Sequence, residues 1–253
     1  MSNLKVKLFY KLLIVLIDEL KISPKIKMLD IGCGNGDLTH FINSQNINCL
    51  GIDVEFKKGD HKDELIKKNL IKLVDSSGKD RKEILELNNR YFWPCETESI
   101  QFAFSSSVIE HIINLKEFAS ENARILNLGG YSAHYFPSRL CLFEAHTGIP
   151  FGALFINKKY YQFATKLGFC KKKFSDWRDA FNYMQISTNY MKHKNLIDIF
   201  EENNLKFVGS RNDLIIKYLG PKHLRFLANF KLFCFIFGIF RSKLYLFQKI
   251  ILS

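Results

Sequence analysis

The chain has 253 residues, of which 47% are hydrophobic and 25% charged, with few prolines. Such a composition can bury one good-sized core, and it excludes a disordered or collagen-like chain. The net charge of +12 attracts phosphate, nucleic acid or anionic lipid, but no block of five basic residues and no RNA-binding consensus localises it.

No nucleic-acid partner is therefore expected. The six cysteines are scattered, without a C-x-x-C pair, and none of the seven histidines clusters with them. That pattern suits reduced, buried thiols in a cytoplasmic protein, and no metal is expected. No small-residue cleavage site follows the first apolar run, so no signal peptide is expected.

"LLIVLI" (Leu12 to Ile17) lies between Lys11 and Asp18 and predicts one face of a helix packed on the core. The helix should stop near "KISPK", because Pro24 cannot continue it. "IKMLDIG" predicts a buried strand, "GDLTHFINSQ" a helix and "NCLGIDVE" the next strand, which together make a βαβ unit. The Lys-rich stretch from Phe56 to Asn89 holds "LIKLVD", a candidate third strand. "IQFAFSS" predicts a strand, "LKEFASENARILN" an amphipathic helix closed by Gly129 and Gly130, and "YSAHYF" a strand stopped by Pro137. "NLIDIFEENN" and "LIIKYLG" supply a late helix and a late strand.

Alternating strands and helices argue an α/β fold with a doubly wound, mostly parallel sheet. Ser138 to about Met191 then forms an aromatic-rich insertion at the carboxyl end of a strand, where such sheets bind ligands. Its Tyr160, Tyr161, Phe163, Trp177 and Tyr183 either stack on a ligand ring or fill the insertion's own core.

"LDIGCGNG" places Asp30, Gly32, Gly34 and Gly36 after a strand and before a helix, where the backbone turns sharply and a ligand can approach closely. The spacing is G-x-G-x-G, with Asp37 where the dinucleotide fingerprint needs glycine, which counts against a dinucleotide. Asp53 ends the next strand and can accept hydrogen bonds from two ribose hydroxyls. Asp30 favours a positively charged ligand group and disfavours phosphate. Adenosine without pyrophosphate fits these residues.

With "LDIGCGNG", "GIDVE" and "SIQFAFSSSVIEHI" followed by helix, "GG" and strand, the chain resembles class I S-adenosylmethionine-dependent methyltransferases over residues 25–220. The resemblance implies a seven-stranded Rossmann-like sheet. It also implies S-adenosylmethionine as cofactor, with Asp30, Gly32, Gly34 and Gly36 at the methionine part and Asp53 at the ribose. Where the family often carries an acidic residue near the adenine, this chain has Asn89, or Asp75 if "LIKLVD" is the third strand. Asn89 can still accept from an adenine amine.

An alcohol acceptor calls for a general base, and His111, Glu144 and His146 stand near the carboxyl ends of strands. His111 has an alternative reading as part of a packed helix start, with Glu110 favourable at the helix's positive end. "FEAHTGIPF" (Phe143 to Phe151) has one as a turn around Gly148 and Pro150. That segment is also similar to one found in methyltransferases of bacterial polysaccharide clusters, with Ala145 where those have proline. The similarity implies a sugar hydroxyl on a nucleotide- or lipid-linked glycan as acceptor. A lipid or small-metabolite acceptor, or a cofactor-binding partner without catalysis, is the alternative.

From Leu214 onward there is no acidic residue, while lysines and arginines punctuate apolar stretches. "LFCFIFGIF" (Leu232 to Phe240) is far shorter than the roughly 20 residues of a membrane-spanning helix. Residues 221–253 therefore read as a basic amphipathic tail after a domain of residues 1–220. The tail would lie on an anionic membrane, on the domain, or on a second copy.

Overall fold

The computed structural model describes residues 3–23, 25–55, 58–74 and 93–251. Seven strands, β1 (Lys27–Ile31), β2 (Asn48–Asp53), β3 (Ile71–Leu73), β4 (Ile100–Ser106), β5 (Leu126–Pro137), β6 (Leu205–Ser210) and β7 (Ser242–Lys249), form one sheet. Their order is β3-β2-β1-β4-β5-β7-β6. The pairs β1–β2, β1–β4, β2–β3 and β4–β5 are parallel, whereas β7 runs antiparallel to both neighbours. The order reverses between β1 and β4, so the ligand crevice of such a sheet lies at their carboxyl ends.

Helix α1 (Asn3–Glu19) buries Val6, Phe9, Leu12, Leu13, Leu16 and Ile17, the three-and-four spacing of one helical face. With α2 (Asp37–Ser44) it covers one side of the sheet around Met28, Phe102 and Phe104. A short helix, α3 (Lys62–Lys67), leads into β3. The other side is covered by α4 (Leu115–Ile125), while α5 (Lys158–Lys166) and α6 (Trp177–Ser187) belong to the insertion. Helix α7 (His193–Glu201) lies beside α4, with Phe118 and Phe200 sharing that layer. Helices α5 and α6 pack together over a small core of their own that includes Tyr161, Ala180, Phe181 and Met184. Tyr160 and Trp177 pack against it, so the core reading describes most of the insertion's aromatics, while Phe163 is exposed.

Three expectations need correction. "LIIKYLG" is not a strand: Asn212–Leu214 is a helical turn that continues as a π-helix over Ile215–Leu219, with Ile215 and Ile216 buried near α1. The missing strand is β7, inside the stretch expected to be a separate tail, and it fills the gap between β5 and β6. Residue 220 is therefore no domain boundary. Gly129 and Gly130 do not cap α4, which ends at Ile125 and passes directly into β5. They sit where Gln101 alone on β4 faces Asn127 to Gly130 on β5, a bulge in which a Cβ on Gly130 would come 2.8 Å from the Asn127 carbonyl oxygen.

Behind the crevice, a buried polar group joins three elements. His134 Nε2 accepts from Asn122 Nδ2 at 3.1 Å, which leaves Nδ1–H to donate to Ser105 Oγ at 2.8 Å. Burial lowers the His134 pKa from 6.5 to about 3. The unfolded chain thus binds this proton below pH 6.5 and the folded protein only near pH 3. The stability it contributes is complete above pH 6.5 and is lost as pH falls through that window. His134→Gln is expected to flatten the dependence of unfolding free energy on pH between about pH 6 and 4 by roughly 1.4 kcal/mol per unit. An unchanged slope in denaturant titrations would mean that His134 is protonated in the fold.

Among the described residues no helix is long and apolar enough to cross a membrane.

Candidate active site

The glycine loop leaves β1 with Gly32, Gly34 and Gly36 all in the left-handed region, at φ 74°, 60° and 79°. Gly32 N–H and Cys33 N–H both donate to the Ile52 carbonyl, which ties the loop to β2. A Cβ on Gly32 would stand 2.3 Å from Val108 Cγ2, so the loop and the segment after β4 touch where only glycine fits. Gly36 caps α2.

Asp53 ends β2 and is part-buried. Its Oδ2 accepts from Gly34 N–H at 2.7 Å and its Oδ1 from Glu55 N–H at 3.2 Å. A carboxylate has about four lone-pair sites, so acceptor capacity for hydroxyls is left. Asp30 does not stand open to a ligand. It is only 4% exposed, lies under the loop and accepts from Thr39 Oγ1 at 2.9 Å. Burial pushes its pKa up to about 7, with Thr39 opposing and the charge of Asp53 adding. Through Thr39 it ties β1 to α2 directly beneath the loop. Thr39 and Gly51 belong to the same support and escaped the sequence reading. A Cβ on Gly51 would come 2.7 Å from Thr39 Oγ1. Asn89 and Asp75 lie outside the described residues.

"FEAHTGIPF" closes into a loop through the Phe143–Pro150 bridge, and its centre is Glu144. Two donors come from His146, its N–H at 2.9 Å and its Nδ1 at 2.8 Å. Thr147 gives two more, its N–H at 2.5 Å and its Oγ1 at 2.8 Å. The Tyr190 hydroxyl supplies the fifth, at 2.8 Å. Burial alone would raise the pKa of this carboxyl, but the donors from His146 and Thr147 outweigh it and hold the group at about 2. Glu144 is thus a fixed anion with its oxygens committed to protein donors. Among the catalytic candidates it is the one placed to orient His146.

Because Glu144 is ionised, His146 Nδ1 carries the hydrogen and the lone pair sits on Nε2. The His146 ring lies edge-on to His111, centroids 4.8 Å apart, and 5.4 Å from the ring of Tyr183. His111 Nδ1 donates to the Ser187 carbonyl at 2.6 Å, which ties the turn after β4 to the end of α6. The same junction is held by Asn189, whose N–H donates to the Glu110 carbonyl at 2.6 Å.

Glu110 stands in the first turn of the short 3-10 helix Ile109–His111, in line with the alternative reading of this segment, and it is also buried. Its side chain is 2% exposed, and among the described residues neither carboxyl oxygen has a hydrogen-bond partner from another residue. Burial raises its pKa to about 8, and the charge of Glu144 adds to this. Its adjacency to His111 was the only sequence signal. Ligand atoms of Glu110, His111 and His146 lie within 4.8 Å of one another, as do those of His40, His61 and Glu64 at the surface. Either set has the donor chemistry to hold a divalent ion.

Residues 7–209 match the model of a family described as "Methyltransferase domain". The chain belongs to this methyltransferase family. No curated protein matches the chain significantly. Among solved structures, geranyl diphosphate C-methyltransferase from Streptomyces coelicolor A3(2) is 14% identical with a TM-score of 0.52, over 93% of this chain and 74% of that one. Phosphoethanolamine N-methyltransferase 2 of Haemonchus contortus, in complex with S-adenosyl-L-methionine, is 13% identical with a TM-score of 0.53, over 96% and 53%. An S-adenosylmethionine-dependent methyltransferase from Mesorhizobium loti is 10% identical with a TM-score of 0.51, over 91% and 96%. At these identities the likeness shows the fold. The Haemonchus enzyme holds S-adenosyl-L-methionine in its structure. A loop in which added Cβ atoms would clash, beside a carboxylate with spare acceptor capacity, fits that cofactor.

Proposed function

We propose that this methyltransferase O-methylates a sugar hydroxyl of a surface-glycan precursor at the inner face of the cell membrane. Gly32, Gly34, Gly36 and Asp53 would hold the cofactor, with Asn89 at the adenine. S-adenosylmethionine supplies an already activated methyl group, so the remaining demand is to place the nucleophile in line. Amine acceptors need little more, whereas an alcohol must also lose its proton, and a positioned base assists that loss.

The observation that carries the reading is the Glu144–His146 pair. A buried carboxylate orients the imidazole and leaves Nε2 to accept a hydroxyl proton, and it stabilises the imidazolium that forms. His111 packs against that ring and limits its rotation, and the Tyr183 ring lies beside it. A lipid or small-metabolite acceptor is the second reading, favoured by the variety of acceptors among the structural neighbours, geranyl diphosphate and phosphoethanolamine.

The test uses S-adenosylmethionine with a labelled methyl group and separate pools of lipid-linked glycans, nucleotide sugars, phospholipids and amines. Label recovered as a sugar methyl ether is expected. Transfer to a nitrogen or to phospholipid alone would overturn the sugar reading.

A further inference from the structure

The 3-10 helix Lys222–Asn229 buries none of its residues, and α8 (Lys231–Phe240) buries only Gly238. Gly238 sits against Asn212, where a Cβ would stand 2.0 Å from Nδ2. Asn212 in turn donates to the Cys234 carbonyl at 3.2 Å and accepts from Ser210 Oγ at 2.8 Å and Leu244 N–H at 3.2 Å. The helix is held close by its one small residue. Phe237 packs toward the core, but other large side chains of the helix and of the residue before it stay out: Phe230 is 57% exposed, Leu232 71% and Phe235 65%, continuing from Phe226 at 61%.

Beside this row lies an open cavity of about 470 Å³ lined by Lys11, Lys217 and Arg225 together with Tyr218 and Phe226. None of the three cations forms an ion pair among the described residues. No lining residue comes from the glycine loop or the insertion. Phe226 belongs to both features, since it lines the cavity and stands exposed in the apolar row.

We propose that this face seats the protein on an anionic membrane, with a lipid phosphate held among Lys11, Lys217 and Arg225 and the aromatic row among the acyl chains. Charge and shape together select that occupant. A free phosphate or a nucleic acid would use the cations but leave the aromatics in water, at a cost in exposed apolar area. A second copy packed symmetrically on the row would bring the two sets of cations toward each other. Anionic lipid answers both parts at once. The proposal develops the membrane placement above and does not depend on the methyl acceptor, because vesicle binding is measured with neither acceptor nor methyl donor present.

Co-sedimentation of the full chain with phosphatidylglycerol-containing vesicles is expected, with little pelleting on phosphatidylcholine alone and weakening as salt rises. Phe230→Ser with Leu232→Ser and Phe235→Ser, all at exposed positions, should lower partitioning at least tenfold, with circular dichroism and melting as checks on folding. Lys11→Glu with Arg225→Glu should do the same. Equal pelleting on neutral vesicles, or no response to charge reversal, would overturn the headgroup site. A dimer in ultracentrifugation that the serine variant dissolves, with no vesicle binding, would overturn the membrane assignment. So would capture of soluble glycerol phosphate without pelleting.

Discussion

His146→Ala lowers methyl turnover by about 10²–10⁴-fold, the usual worth of a positioned general base, while S-adenosylmethionine binds as it does to the wild type. The split is expected because the ring lies in the insertion, bound to Glu144 and packed on His111, with none of its named contacts in the glycine loop. Calorimetry measures the cofactor side and release of S-adenosylhomocysteine the chemical side. Added imidazole should restore part of the rate, because it supplies the lost base, whereas a purely structural role would not respond. Glu144→Gln should also lower turnover, and should reduce melting temperature as well, since five donors converge on a carboxylate and an amide nitrogen cannot accept from them. Wild-type turnover in His146→Ala would remove the base assignment.

Gly32→Ala abolishes cofactor binding. A left-handed residue with a Cβ costs about 1–2 kcal/mol, and forcing that Cβ against Val108 adds about 1–3 kcal/mol of overpacking. Val108 Cγ2 would be only 2.3 Å away, and a valine branch cannot swing aside as a long chain can. Its displacement would carry along the turn Ile109–His111, so the fault passes from the donor side to the acceptor side. Asp53→Ala provides the finer measurement. It removes the acceptor of Gly34 N–H and the carboxylate assigned to the ribose, and should weaken binding at least tenfold. Wild-type affinity in both variants would place the cofactor elsewhere.

The central strands and the loop were legible because their signals are local. Apolar runs ending at glycine after Ile31 and at polar residues after Phe104 permit little else. The late elements were not, since "LIIKYLG" is a short apolar run whose period does not separate a buried strand from a buried helix. Ile215 and Ile216 are adjacent and both buried, as consecutive residues also are along β1 and β4, so burial of the pair fits a covered strand as well as the π-helical turn found there. The helix expected to run to Asn127 and a glycine cap ends at Ile125, because Leu126 already pairs with Ile100. In the site, four of the five donors to Glu144 are local, but the fifth comes from Tyr190, far along the chain, and the setting of Glu110 depends on burial against the insertion. Neither contact has a sequence period to announce it. Truncation at Gly220, reasonable for a detachable tail, would instead remove β7, the strand with which β6 pairs among the described residues.

That order of assembly matters during synthesis. Strand β6 emerges from the ribosome before β7, yet it can join the sheet only through β7. Until β7 arrives, β5 has an open edge and β6 must wait unpaired, a state that invites association with other chains. The segment synthesised between them is the exposed aromatic helix α8. The nascent protein thus presents an exposed aromatic surface and an unfinished edge at the same moment; β7 closes the gap between β5 and β6, while the aromatic row stays exposed in the folded protein.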